Sequence, residues 1–204
     1  AKVTADTKCE NLDEKRIVPK MMLRRRLTRA ARIMVYLADA CDFRDGAVVY
    51  GSAYGEMQAT ADIVGAIDAK EPISPTAFQN SVYNTAPSYF SLLHKNKNEI
   101  LTISSGDDTA KNVLQTGALQ AVTTGDEVLL VCSEAINIEN IEEVNSCTDY
   151  LESGVALTLV MTEDKANVEV SRQEHKGYAP SLWAMLDVLD ACDGKTECVI
   201  ALEL

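Results

Sequence analysis

Histidine is nearly missing from this chain: His94 and His175 are the two among 204 residues. A metal or acid–base site built on histidine is therefore hard to assemble. Cysteine offers no substitute. Cys9, Cys41, Cys132, Cys147, Cys192 and Cys198 include no CxxC pair, and the nearest two, Cys192 and Cys198, have no histidine nearby, so no zinc pattern emerges. Cys132 lies inside an apolar run, as a small core residue does, and reduced structural thiols are expected in place of disulfides. Positive charge is also short. A net charge of −12 and a pI near 4.6 exclude the basic footprint of a nucleic-acid binder. No stretch approaches the roughly 20 apolar residues of a membrane helix. No charged and apolar leader pattern opens the numbering at Ala1, so no signal peptide is visible. Repeats and low-complexity linkers are absent too. The expectation is a cytoplasmic globular protein, long enough for one domain with a real core.

What is present is an alternation of strand and helix signals. The first twenty residues are polar and carry little. From Met21 to Ala40, Leu23, Leu27, Ala30, Ala31, Met34, Leu37 and Ala38 recur at three and four, which predicts one helix. Arg24, Arg25, Arg26, Arg29 and Arg32 cover its other side, as a solvated face or as a docking patch for an acidic or phosphorylated partner. "GAVVYGSAYG", residues 46–55, reads as a buried strand entering a small-residue loop, and 56–69 as a short helix. The next segment opens with a proline-rich turn and carries Phe78, Val82, Tyr83, Tyr89, Phe90, Leu92 and Leu93. It packs the core or lines a pocket, and Pro87 predicts a kink or two short helices. "EILTIS" (99–104), "DEVLLVCSEA" (126–135) and "SGVALTLVMT" (153–162) read as strands. "ANVEVSRQE" (166–174) and "ECVIALEL" (197–204) are expected to extend the sheet, and "PSLWAMLDVLDAC" (180–192) to form a helix. Strands that are apolar throughout predict an α/β fold with both sheet faces covered.

The chemically suggestive stretch is "TISSGDDTAKNVLQTGA", residues 102–118. A strand meets a glycine turn, and a helical pattern begins. Its apolar side is small: Ala110, Val113, Leu114, Gly117, Ala118 and Ala121. Asp107 or Asp108 is placed as an N-cap, accepting bonds from free backbone N–H groups. The helix dipole favours a carboxylate there and lowers its pKa. Such an acid is a weak general base and a poor general acid near neutrality. As a nucleophile it needs help from a base, a metal or a matched electrophile.

The run from Ile73 to Ala121 resembles the N-terminal half of a β-ketoacyl synthase of the thiolase superfamily. More narrowly, it resembles the divergent β-ketoacyl synthase-like N-terminal domain family. The resemblance is carried by Ser74-Pro75-Thr76, by "SVYNTAPSYFSL" with its Asn84, by "TISSGDDTAKNVLQTGAL", and by the following "GDEVLLVCSEA". "RRLTRAARIMVYLADAC", "VVYGSAYGEM" and "ESGVALTLVM" extend it to about 21–162. It implies one domain over 1–204, with a core at 21–162 and an extension at 163–204. It also implies one thiolase-like half, with a mixed, mostly parallel sheet and the helix of 108–122 at its centre. In a condensing member the corner holds the nucleophilic cysteine at a helix N-terminus that favours thiolate. This chain has Asp107 there, between Gly106 and Asp108. A carboxylate cannot take an acyl chain from a thioester by ordinary exchange. Neither His94 nor His175 lies in a motif like the family's histidine loops, so both read as surface or packing residues.

The resemblance therefore points to a cysteine-less, chain-length-factor-like subunit of fatty-acid, polyketide or aryl-polyene biosynthesis. Its implied partner is a catalytic ketosynthase or a second copy of itself, with acyl carrier protein a further candidate. No cofactor, metal, nucleic acid or membrane is implied. Candidates for an acyl pocket or interface are Phe78, Tyr83, Asn84, Tyr89 and Phe90, together with Ala110, Gly117 and Ala118. The small helix face is expected to need cover from the C-terminal helix, a second copy or another subunit. The alternative is an enzyme acting on acyl thioesters, a decarboxylase or hydrolase using Asp107 or Asp108.

Overall fold

The apolar runs of the sequence become the middle of one sheet. The computed structural model describes residues 3–4, 12–138, 148–193, 195 and 198–202. Its strands are β1 (Val3–Thr4), β2 (Ala47–Gly51), β3 (Ile100–Ile103), β4 (Val128–Ala135) and β5 (Glu152–Leu159), ordered β1-β5-β4-β2-β3. β2 runs parallel to β3 and β4, with Val49 opposite Leu101 on one side and Leu130 on the other. β5 lies antiparallel to β4, and β1 antiparallel to β5. The sheet is thus mixed, with a parallel centre.

The helices are α1 (Glu14–Ile17), α2 (Met21–Arg24), α3 (Arg29–Ala40), α4 (Met57–Asp68), α5 (Pro75–Asn80), α6 (Thr85–His94), α7 (Thr109–Thr124) and α8 (Trp183–Cys192). Successive strand residues point to opposite faces, and the helices divide accordingly. Val48, Tyr50, Leu129 and Val131 pack with Ile33, Met34 and Leu37 of α3 and Phe90 of α6. Val49, Leu130, Cys132 and Leu157 pack with Val113 and Leu114 of α7 and Met185 and Leu186 of α8. This is why β4 is buried along its whole length. Each fully buried Leu or Val contributes about 1.5–3 kcal/mol against exposure.

Several boundaries differ from the sequence pattern, for local reasons. The helix expected over 21–40 is two helices. Thr28 is extended and its Oγ1 accepts from Ala31 N at 3.1 Å, so it starts a new helix inside an unbroken apolar period. The arginines facing away are partly committed within the chain. Arg24 donates to the Val18 carbonyl at 2.7 Å, Arg29 pairs with Glu152, and Arg32 with Glu14 at 3.1 Å. Pro87 does not break its helix. It is the third residue of α6, where an N–H has no intrahelical acceptor to lose, and the break falls earlier, between Asn80 and Thr85. Ser74 starts α5, accepting from Ala77 N at 3.4 Å, with Pro75 behind it.

The segment 166–174 is not a strand, and neither are residues 198–202 of the expected last one. The outer edge of β5 is already taken by β1. Val168 and Val170 pack against the core without joining the sheet. Asn167 N donates to the Val199 carbonyl at 2.9 Å, and Val199 N returns to Asn167 Oδ1. Cys41, Cys132, Cys192 and Cys198 are buried thiols. Cys9 and Cys147 lie outside the described residues. No described helix is long and apolar enough to cross a membrane.

Candidate functional site at the strand–helix corner

β3 delivers the chain to an exposed corner, Ser104 to Asp108, at the N-terminal end of α7. Gly106 has φ +56°, a left-handed conformation that glycine adopts without strain. Gly106–Asp108 form one 3-10 turn, closed by Asp108 N donating to the Ser105 carbonyl at 3.2 Å. The acids were expected to cap the helix, yet neither makes a capping bond. Asp108 stands at the N-cap position of α7 without a side-chain bond, and Thr109 does the tying. Its fully buried Oγ1 accepts from Ser105 N at 3.0 Å and donates to the Gly106 carbonyl at 2.7 Å. Asp107 and Asp108 are left facing solvent.

Behind the corner sits a residue that the sequence reading passed over. Glu134, next to last in β4, is 0 % exposed. It accepts from Ser52 Oγ at 2.8 Å, Ala53 N at 2.7 Å, Tyr54 N at 3.2 Å and Ser181 Oγ at 2.6 Å. Burial raises its pKa and these four bonds oppose the rise. Its oxygens are occupied in joining the loop after β2 and the turn before α8 to the sheet. A charged residue inside the apolar run "VLLVCSEA" was the available signal, since buried acids are rare unless bonded. The loop it holds reaches the corner. Tyr83 Oη donates to the Ala53 carbonyl at 3.3 Å, and Ser104 Oγ to the same carbonyl at 3.4 Å.

The other candidates separate. Tyr83 thus borders the corner, whereas Phe78 is 67 % exposed on α5. Asn84 and Tyr89 line a groove of about 570 Å3 with Arg26, Val82 and Leu92. Phe90 is core, 6.3 Å from the ring of Phe43 and 4.9 Å from that of His94. Ala110, Gly117 and Ala118 turn the opposite way, onto the far face of the sheet and toward α8. At Gly117 a Cβ would lie 2.1 Å from Leu130 Cδ2. The small side of α7 is therefore closed by the chain's own sheet and α8, and needs no second copy to cover it. The histidines are committed elsewhere. Burial and then Arg44 lower the pKa of His94, and His175 Nε2 meets Asp187 Oδ1 at 2.8 Å, a part-buried packing position. Among the described residues no group of three or more His, Cys, Asp or Glu side chains is placed to hold a metal ion.

The mixed α/β sheet, covered on both faces and with an edge strand running into a helix N-terminus at an exposed glycine turn, is a thiolase-like half-fold. The chain belongs to the family "Beta-ketoacyl synthase, N-terminal domain", whose model matches residues 4–202. Solved structures agree in fold. A chain of a ketosynthase in complex with its chain length factor, from Xenorhabdus doucetiae, is 24% identical with a TM-score of 0.70. The match covers 94% of this chain and 79% of that one. The ishigamide ketosynthase/chain length factor is 14% identical with a TM-score of 0.59, over 79% of this chain and 51% of the other. A β-ketoacyl synthase from Burkholderia phymatum STM815 is 13% identical with a TM-score of 0.53, over 70% and 44%. This chain thus spans about half the length of the last two. No curated protein matches it in sequence.

Proposed function

We propose that the chain is a non-catalytic, chain-length-factor-like subunit that pairs with a catalytic ketosynthase in fatty-acid, polyketide or aryl-polyene biosynthesis, as one cytoplasmic synthase-N-terminal-like domain. The observation that carries this reading is the corner itself: a glycine turn leads β3 into α7 with two solvent-facing acids and no cysteine, and the family resemblance reads Asp107 as standing where a condensing member holds its nucleophile. The solvent-facing acids have no histidine beside them, because His94 packs on Phe90 and His175 on Asp187. The surface supports a partner. β3 is an edge strand, paired with β2 alone among the described strands, and such an edge is a template for another chain. A protein joined there would lie against the corner. Phe78, Val82 and Leu92 add exposed apolar area.

Co-expression with candidate ketosynthases tests the reading. A stable complex is expected, with altered product length when this subunit is present. Asp107→Asn should leave complex formation unchanged, whereas loss of a turnover by the chain alone would favour the thioester-cleaving alternative. A monodisperse monomer that never alters product length would sink the proposal.

A further inference from the structure

A second buried acid lies away from the corner. Glu56, just before α4, is 8 % exposed. Thr28 Oγ1 donates to its Oε1 at 2.8 Å; among the described residues this is the one hydrogen bond its carboxyl receives, and Oε2 has no donor. The side chain borders a cavity of about 580 Å3 between the start of α3, α4 and α5, a volume typical of small-molecule sites. Ala59, Ile63 and Ala77 line the same space with apolar surface. The other charged groups on its wall are engaged elsewhere: Arg29 with Glu152, Arg32 through Nη1 with Glu14, its buried Nε having no partner among the described residues, and Asp62 with Gln58 at 2.8 Å. Burial pushes the Glu56 carboxyl up to about 7, opposed by the Thr28 bond; no cation offsets the desolvation. A carboxyl this buried carries a penalty that a hydrogen-bond donor would relieve.

We infer that this cavity is a ligand site in which Glu56 receives a hydroxyl or ammonium group at the end of an apolar stem that lies along Ala59, Ile63 and Ala77. The shared chemistry is a hydrogen-bond donor on a hydrocarbon chain. The inference does not rest on pairing with a ketosynthase: binding is read on this chain, so its failure leaves the complex-formation test untouched.

The purified chain is titrated with 1-hexanol, hexylammonium and hexyl methyl ether at about pH 8, where Glu56 is mostly ionised, and followed by backbone amide NMR. The alcohol or the ammonium should bind at least about tenfold tighter than the ether, the gain expected of one hydrogen bond to a charged group. The shifts should centre on Ala59 and Ala77. Preference for ammonium identifies a cationic ligand, and preference for hexanol a hydroxylated one. Glu56→Leu should remove either preference while keeping the ether's affinity. Equal binding of all three by the unaltered chain, shifts centred elsewhere, or no binding at all would overturn the inference, and these readouts need no variant.

Discussion

At the residue scale, the two buried glutamates do opposite work. Glu134 is fully bonded, so its removal strands four donors at once. Glu134→Ala should cost about 3–5 kcal/mol, the loss typical of breaking a buried charged network, and urea denaturation with an unchanged slope would record it. Glu56 is under-bonded, and its effect is on pH dependence. Its folded pKa is about 7 against an ordinary 4.5. Between those values the folded state holds a proton that the unfolded chain has released, so stability falls as pH rises through this window. The loss attributable to Glu56 is at most about 3 kcal/mol. Glu56→Gln should flatten the pH dependence of the denaturation midpoint between about pH 5 and pH 8; a profile as steep as the original would contradict this. The sequence marked Asp107 and Asp108 because they sit beside a glycine at a helix start. Glu134 carried only the signal of an acid inside an apolar run and Glu56 carried none, because what distinguishes these acids is burial, and burial belongs to the assembled chain.

At the element scale, close approach decides α7. Its small side was expected to need cover from the C-terminal helix, a second copy or another subunit; α8 and the sheet supply that cover, and the small residues let the helix settle on β4. Gly117 is the tightest point, and Leu130 beneath it is fully buried, so a methyl group there displaces core. Helix propensity favours alanine over glycine by up to about 1 kcal/mol, while overpacking costs about 1–3 kcal/mol. Gly117→Ala should therefore destabilise by about 1–2 kcal/mol, read as a lower thermal midpoint; a stabilised variant would mean that Leu130 gives way freely. The strong strands and the three longest helices were legible because their apolar periods are long. The breaks were less so. Thr28 interrupts no period, and Pro87 breaks a helix or begins one depending on a single turn of register. The 166–174 segment alternates as a strand does, but β1 holds the edge it would have joined.

At the scale of the whole molecule, the chain is a half-fold with its own core and, among the described strands, an exposed edge at β3. α8 returns to close the far face of the sheet, and Ser181 ties that return to Glu134 at 2.6 Å. Among what remains open are β3, the corner beyond it and, on α5 and α6, Phe78 and Leu92. A ketosynthase partner is therefore expected at this side, and co-purification should give a complex of one chain with one synthase by size-exclusion with light scattering. Contact elsewhere, leaving Tyr83 and the corner accessible to hydrogen exchange, would count against the edge as the interface.

The sequence by itself determined the α/β class, the central strands, the corner and the aspartate in it, because each rests on short-range periodicity or on adjacent residue types. Tertiary structure alone decided what covers the small side of α7, that Thr109 and not an aspartate ties the corner, and which acids are buried. These depend on groups brought together from distant positions: Glu134 with Ser52 and Ser181, Glu56 with Thr28, Gly117 with Leu130. Periodicity reports which way a side chain faces, and only packing reports what it meets.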